Sequence, residues 1–161
     1  MSTDQMDNLL MKLEKGLSKT QKYLSALAPD QWRQVIYPEP YPWTLRDLLA
    51  HFVSAEERLL VLAKDFASGG GGAPPDFDFN EFNRQELECM AGLSSQALLS
   101  SLTAARHATL DWVRTLDESH LQRLGAHPVL GEIDLETMIK SIYGHQLLHM
   151  RDVIVKFGSG K

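Results

Sequence analysis

Two histidines four residues apart, His145 and His149, lie in the run Gly144-His145-Gln146-Leu147-Leu148-His149. On a helix, residues at this spacing stack on one face. Their imidazoles then point at the same place. Such a pair can clamp one divalent transition-metal ion through nitrogens at about 2.0–2.1 Å, and a catalytic zinc typically takes a third protein ligand while leaving one position open. His51, on the inward face of another expected helix, is the natural third ligand. A histidine on an apolar face is also a common hydrogen-bonded core residue. The pattern by itself leaves both readings open.

The elements that must position these side chains are legible from periodicity. Leu135, Met138, Ile139, Ile142, His145, His149 and Val153 form one stripe on a helix expected from Leu135 to about Lys156, with Asp134 as its cap. Leu45, Leu48, Phe52, Ala55, Leu59 and Leu62 form another stripe, and His51 lies one turn from both Leu48 and Ala55. That helix should begin at Thr44, with Asp47 three residues on completing a near capping box. A first helix is expected from about Asp4 to Leu27, striped by Leu9, Leu10, Leu13, Leu17, Leu24 and Leu27. Asp78 caps a shorter helix from Phe79 to about Met90, Gly92 breaks it, and Ser94 or Ser95 opens the next, which carries Leu98, Leu102, Leu110 and Val113.

The connections read differently. The run 36–43 holds three prolines and is expected to be a linker rather than an element. Residues 68–75, Ser-Gly-Gly-Gly-Gly-Ala-Pro-Pro, lack the Lys-Ser/Thr ending of a phosphate loop and are expected to form a flexible connection, about 68–76, with no chemistry of its own. The segment 117–132 is irregular, with a short extended stretch possible from His127 to Ile133. Four long striped helices joined by loops imply an all-α fold, an antiparallel four-helix bundle.

Composition narrows the function. A length of 161 residues fits one domain, 1–161. The net charge of -5 shows no basic stripe, which weighs against nucleic acid and anionic membrane surfaces. No apolar run is long enough to span a bilayer, no signal peptide is visible, and the single cysteine excludes an intrachain disulfide. A cytoplasmic location is the expectation. Cys89 carries no catalytic signature and is expected to pack. His107 falls off its helix stripe and His120 sits in a polar turn. His127, before Pro128, can line a pocket mouth, although loop packing is the simpler expectation.

Trp43-Thr44-Leu45-Arg46-Asp47-Leu48-Leu49-Ala50-His51 resembles the entry to the second helix of the DinB/YfiT-like superfamily, and Gly144 to His149 resembles its last-helix His-x-x-x-His. The segment Asp76 to Asn83 resembles the linker into its third helix, so the likeness covers about Leu9 to Val155. The resemblance implies a four-helix bundle, often a homodimer, with zinc or nickel held by His51, His145 and His149. It also implies kinship with thiol-dependent transferases and isomerases that use a low-molecular-weight thiol. One position departs from the family pattern: Asp152 stands where glutamine is frequent. Asp152 shares a face with His145 and His149, so it can orient a ligand imidazole or be an exposed charge near the helix end. Asn83 can reach the pocket, with Asn80 the alternative. Asp152 and Glu56 are the two candidate catalytic bases; Glu57 falls further round the helix. The expected function is that of a metal-dependent transferase, isomerase or hydrolase acting on a small electrophilic substrate. The alternative is a non-catalytic stress protein that binds a metal or small ligand.

Overall fold

The computed structural model of the chain describes residues 2–159. Five α-helices and two small antiparallel strand pairs follow one another: α1 (Ser2–Ser25), β1 (Val35–Tyr37), β2 (Trp43–Thr44), α2 (Leu45–Ala67), α3 (Phe79–Cys89), α4 (Ser95–Val113), β3 (Leu124–His127), β4 (Gly131–Asp134) and α5 (Leu135–Phe157). Each helix start has a local cause. Thr44 and Asp47 form a full capping box at α2. Asp78, Ser94 and Asp134 each accept the backbone N–H three residues on, which satisfies a donor that the first turn leaves free.

The stripes bury as the periodicity requires. Leu9, Leu13, Leu17 and Leu24 of α1 are buried, as are Leu48, Phe52, Leu59 and Leu62 of α2 and Met138, Ile139, Ile142 and Val153 of α5. Each such side chain removed from water contributes about 1.5–3 kcal/mol. Both α1 and α2 pack against α4 and α5, so the four long helices form a bundle in the ring order α1–α4–α2–α5. α2 and α5 are therefore neighbours, which lets His51 meet His145 and His149. α3 lies outside the bundle against α2. Among the described residues, no helix is long and apolar enough to cross a membrane.

Three connections differ from expectation. The proline-rich run is not a bare linker, because Val35 pairs with Thr44 and Tyr37 with Trp43. This pairing lays β1 beside α5. The segment 117–132 contains a regular hairpin strand, with Leu124 opposite Asp134 and His127 opposite Gly131. The glycine-rich loop is tied down. Ala73 N–H donates to Ala126 O and Ala126 N–H to Gly71 O, each at 2.8 Å. Gly72 N–H donates to the Asp65 carboxylate at 2.8 Å. Gly72 has φ +84°, and a Cβ there would lie 2.5 Å from Ala126 O. The glycine is thus needed for close backbone approach as well as for its dihedral.

Candidate metal centre

α2 contributes His51 and α5 contributes His145 and His149, and their Nε2 atoms converge. His51 Nε2 lies 3.0 Å from His145 Nε2, and His149 Nε2 lies 3.1 Å from the same atom. All three potential ligand atoms fall within 4.8 Å of one another. Nitrogens held tetrahedrally at about 2.0–2.1 Å from an ion are roughly 3.3 Å apart, so the donor set fits a divalent transition metal. The chemistry fits too. Three nitrogen lone pairs brought together away from water are best satisfied by a single cation.

Electrostatics hold the imidazoles in the ligand-competent neutral form. Burial pushes His51 well below the usual histidine range, with His145 and His149 adding to the effect and Asn83 opposing it. Burial, then His149 and His127, lowers His145 to about 4. Burial lowers His149 as well, against the opposing charge of Asp152.

Tyr37 fixes His149. Its hydroxyl donates to Asp152 Oδ2 and lies 2.8 Å from His149 Nδ1. A phenol has one proton to give. With that proton committed to the carboxylate, the oxygen accepts from His149 Nδ1–H, which leaves Nε2 bare for a metal. Asp152 is thus linked to His149 through Tyr37, an arrangement able to orient a ligating histidine. Nδ1 of His51 and of His145 is buried without a hydrogen-bond partner among the described residues, so neither ring is oriented in this way. Packing holds His51 instead, with Trp43 tilted against it at a centroid distance of 5.0 Å.

The three rings open into a cavity of about 790 Å³, walled by α2, α3, α5 and the β3–β4 turn. Its lining is largely apolar, as small-molecule sites are. Asn83 lines it and Asn80, which is exposed, does not. His127 does both things that its position allows: it lines the cavity, and its Nδ1 accepts the N–H groups of Val129 and Leu130, each at 3.0 Å.

Other expectations need correction. Glu56 is not at the cavity. It is 1% exposed, and its carboxylate accepts from Arg106 Nε at 2.5 Å, Gln146 Nε2 at 2.7 Å and Thr109 Oγ1 at 3.1 Å. A carboxylate so engaged in the core does not reach a substrate. Glu57 is exposed and does not line the cavity, in keeping with its place further round the helix. Cys89 is exposed rather than packed, because it falls on the outer side of α3. His107 and His120 lie as expected: His107 is exposed, and His120 sits in its polar turn 3.1 Å from the Asp117 carboxylate.

Tyr37 was hidden in the sequence inside the proline-rich run. The only signal for it is an aromatic immediately before Pro38-Glu39-Pro40, in a run that has no periodicity to read. Arg58, which also lines the cavity, is seven residues after His51 and so on the same helix face; that spacing is a signal that could have found it.

Comparison with known proteins places this architecture. YfiT from Bacillus subtilis, a probable metal-dependent hydrolase with an unusual four-helix bundle topology, matches with a TM-score of 0.75 at 18% identity, covering 99% of this chain and 91% of that one. A mycothiol-dependent maleylpyruvate isomerase matches with a TM-score of 0.72 at 17% identity; 91% of this chain is covered, but only 60% of the isomerase chain. The colibactin self-resistance protein ClbS, solved in complex with a dsDNA, matches with a TM-score of 0.66 at 14% identity over 91% of this chain and 93% of that one. Likeness at these identities shows the fold. None of the curated proteins matches the sequence. A family model matches residues 12–153, which is most of the chain, and the protein belongs to the DinB superfamily.

Proposed function

We propose that the protein is a metal-dependent enzyme that acts on a small electrophilic molecule at the base of this cavity, with His51, His145 and His149 as the metal ligands. The observation that carries the reading is the convergence of three neutral, largely buried Nε2 atoms on one point that opens into an apolar cavity. A divalent ion there supplies Lewis-acid chemistry, polarising a substrate oxygen and lowering the pKa of a water or thiol. The surrounding residues do the rest. Tyr37 and Asp152 hold the His149 tautomer. The apolar walls exclude water and strengthen every charge interaction inside.

Zinc or nickel suits three imidazoles, although ligand type alone does not select between them. Transfer or isomerisation with a low-molecular-weight thiol draws support from the isomerase relative, and hydrolysis from YfiT. A small-molecule partner is favoured over nucleic acid by the apolar lining of the cavity and the net charge of -5. Homodimerisation and a cytoplasmic location belong to the same reading, the first on the family resemblance; light scattering measures the assembly.

One observation favours a second reading, that of a metal-containing binding protein. No carboxylate lines the cavity among the described residues. The test is metal content by mass spectrometry for untagged protein beside a His145→Ala/His149→Ala variant. Near-stoichiometric metal in the parent, absent from a folded variant, is the expected result. A parent that stays empty after incubation with Zn²⁺ and Ni²⁺ removes the proposal. Turnover across a panel of thiols and electrophiles then separates enzyme from binding protein.

A further inference from the structure

The cavity has a pronounced charge asymmetry. Arg58, Lys140 and Arg151 line it, and no aspartate or glutamate does so among the described residues. This is unexpected for a chain with a net charge of -5. Lys140 is already committed to Glu136 at 2.6 Å, and Arg151 is exposed at the mouth. Arg58 is different. Its guanidinium carbon lies 5.0 Å from the centroid of Phe77 and 5.9 Å from that of Phe82, and these two rings are themselves 5.6 Å apart. Its Nε is buried with no hydrogen-bond partner among the described residues. No carboxylate lies within ion-pair distance of it among the described residues.

A guanidinium stacked on aromatic faces keeps its planar fork of donors free and its position fixed. Burying one of those donors unpaired costs free energy that a ligand acceptor would recover. Arg58 is seven residues beyond His51 on α2. At about 1.5 Å per residue, their Cα atoms are roughly 10 Å apart along the helix. The cavity between is lined by apolar side chains such as Ala55, Leu59 and Phe82.

We propose that the cavity selects an organic carboxylate with an apolar aromatic or aliphatic body, the carboxylate held by Arg58 and the far end of the molecule lying at the three histidines. This inference rests on reading the cavity as the working site of those histidines. It specifies what kind of molecule is worked on: Arg58 gives the anion a bidentate partner, and the walls accept the body.

The test compares a matched pair of probes, 2-naphthylacetate and the neutral 2-(2-naphthyl)ethanol, by isothermal titration calorimetry. The protein is used as purified, beside Arg58→Met, Arg58→Lys and the His145→Ala/His149→Ala variant, each checked for helicity. The parent should bind the carboxylate about tenfold more tightly than the alcohol or better, the size expected of one charge-assisted hydrogen-bond pair. Arg58→Met should bring the two probes within about twofold of each other by weakening the carboxylate alone, and Arg58→Lys should restore part of the preference. Persistence of the preference in the double histidine variant would support the assignment to Arg58 even if no metal is bound. A parent that binds neither probe overturns the proposal, as does a preference that survives Arg58→Met. If either occurs while the parent retains metal, the ligand class is wrong and the metal centre stands.

Discussion

Tyr37 is the residue on which the centre's chemistry turns most directly. It joins Asp152 to His149 and decides which nitrogen of that ring is bare. Orienting partners of metal-ligating histidines are typically worth about 10–100-fold in affinity. Tyr37→Phe should therefore weaken zinc binding by about that factor with the helical signal intact, as measured by competition with a chromogenic chelator; an unchanged affinity would leave Tyr37 as mere packing. The same rings set a pH dependence in metal-free protein. An unfolded histidine takes its proton near 6.5, whereas His145 in the fold does so only at about 4. Between those values the unfolded state binds the extra proton. Stability is then complete above about 6.5 and falls as the pH drops towards 4, by about 1.4 kcal/mol per pH unit for one such group. Urea melts of metal-free protein at pH 7.5, 5.5 and 4.5 should show the decline, and His145→Gln should flatten it. A midpoint independent of pH in the parent contradicts the neutral-imidazole picture.

Between helices, the controlling feature is a buried polar cluster that no stripe announces. Glu56 of α2 accepts from Arg106 and Thr109 of α4 and from Gln146 of α5, and Arg106 also donates to Leu13 O of α1 at 2.7 Å. One carboxylate and one guanidinium thus touch all four bundle helices. Both are essentially inaccessible to solvent. Gln146 is the neighbour of His145, so the cluster also sets the height of α5 against α2 and with it the meeting of the three imidazoles. Removing one partner from a buried pair strands the other charge, at a cost of about 3–5 kcal/mol. Glu56→Ala should lose about that much in a denaturant melt, and pairing it with Arg106→Met should recover a large part. If the single variant loses under about 1 kcal/mol, the cluster is not holding the helices.

For the molecule as a whole, the proposed metal site links binding to folding, because His51, His145 and His149 come together only in the folded bundle. An ion that binds the native state alone stabilises it by about 2.7 kcal/mol at a hundred times its dissociation constant. For a domain of this size that is roughly 5–10 °C in melting temperature. Zinc should raise the melting temperature of the parent by this amount and leave the His145→Ala/His149→Ala protein unmoved. An equal rise in both would point to binding elsewhere on the surface. The bundle supplies the rigidity that such a site needs, and the two strand pairs close its ends over the cavity: β1 brings Tyr37, and the β3–β4 turn brings His127 and Val129.

The sequence by itself determined what depends on local spacing. The cap residues Thr44, Asp78, Ser94 and Asp134 and the leucine stripes marked the helices, because capping and amphipathic burial are set within a few residues of chain. His145 and His149 were legible for the same reason, and His51 followed from its place on an inward face. The tertiary structure decided what depends on which elements become neighbours. The ring order puts Glu56 against Arg106 rather than in the cavity. The pairing of β1 with β2 delivers Tyr37 to His149. The loop before α3 presents Phe77 and α3 presents Phe82 to Arg58, while α3 turns Cys89 outward. Each of these contacts joins residues far apart in the chain, and no period of 3.6 or 2 carries information about them. A polar side chain in a stripe reads alike whether it meets a metal, an ion-pair partner or a ligand; only the packed neighbours distinguish the three.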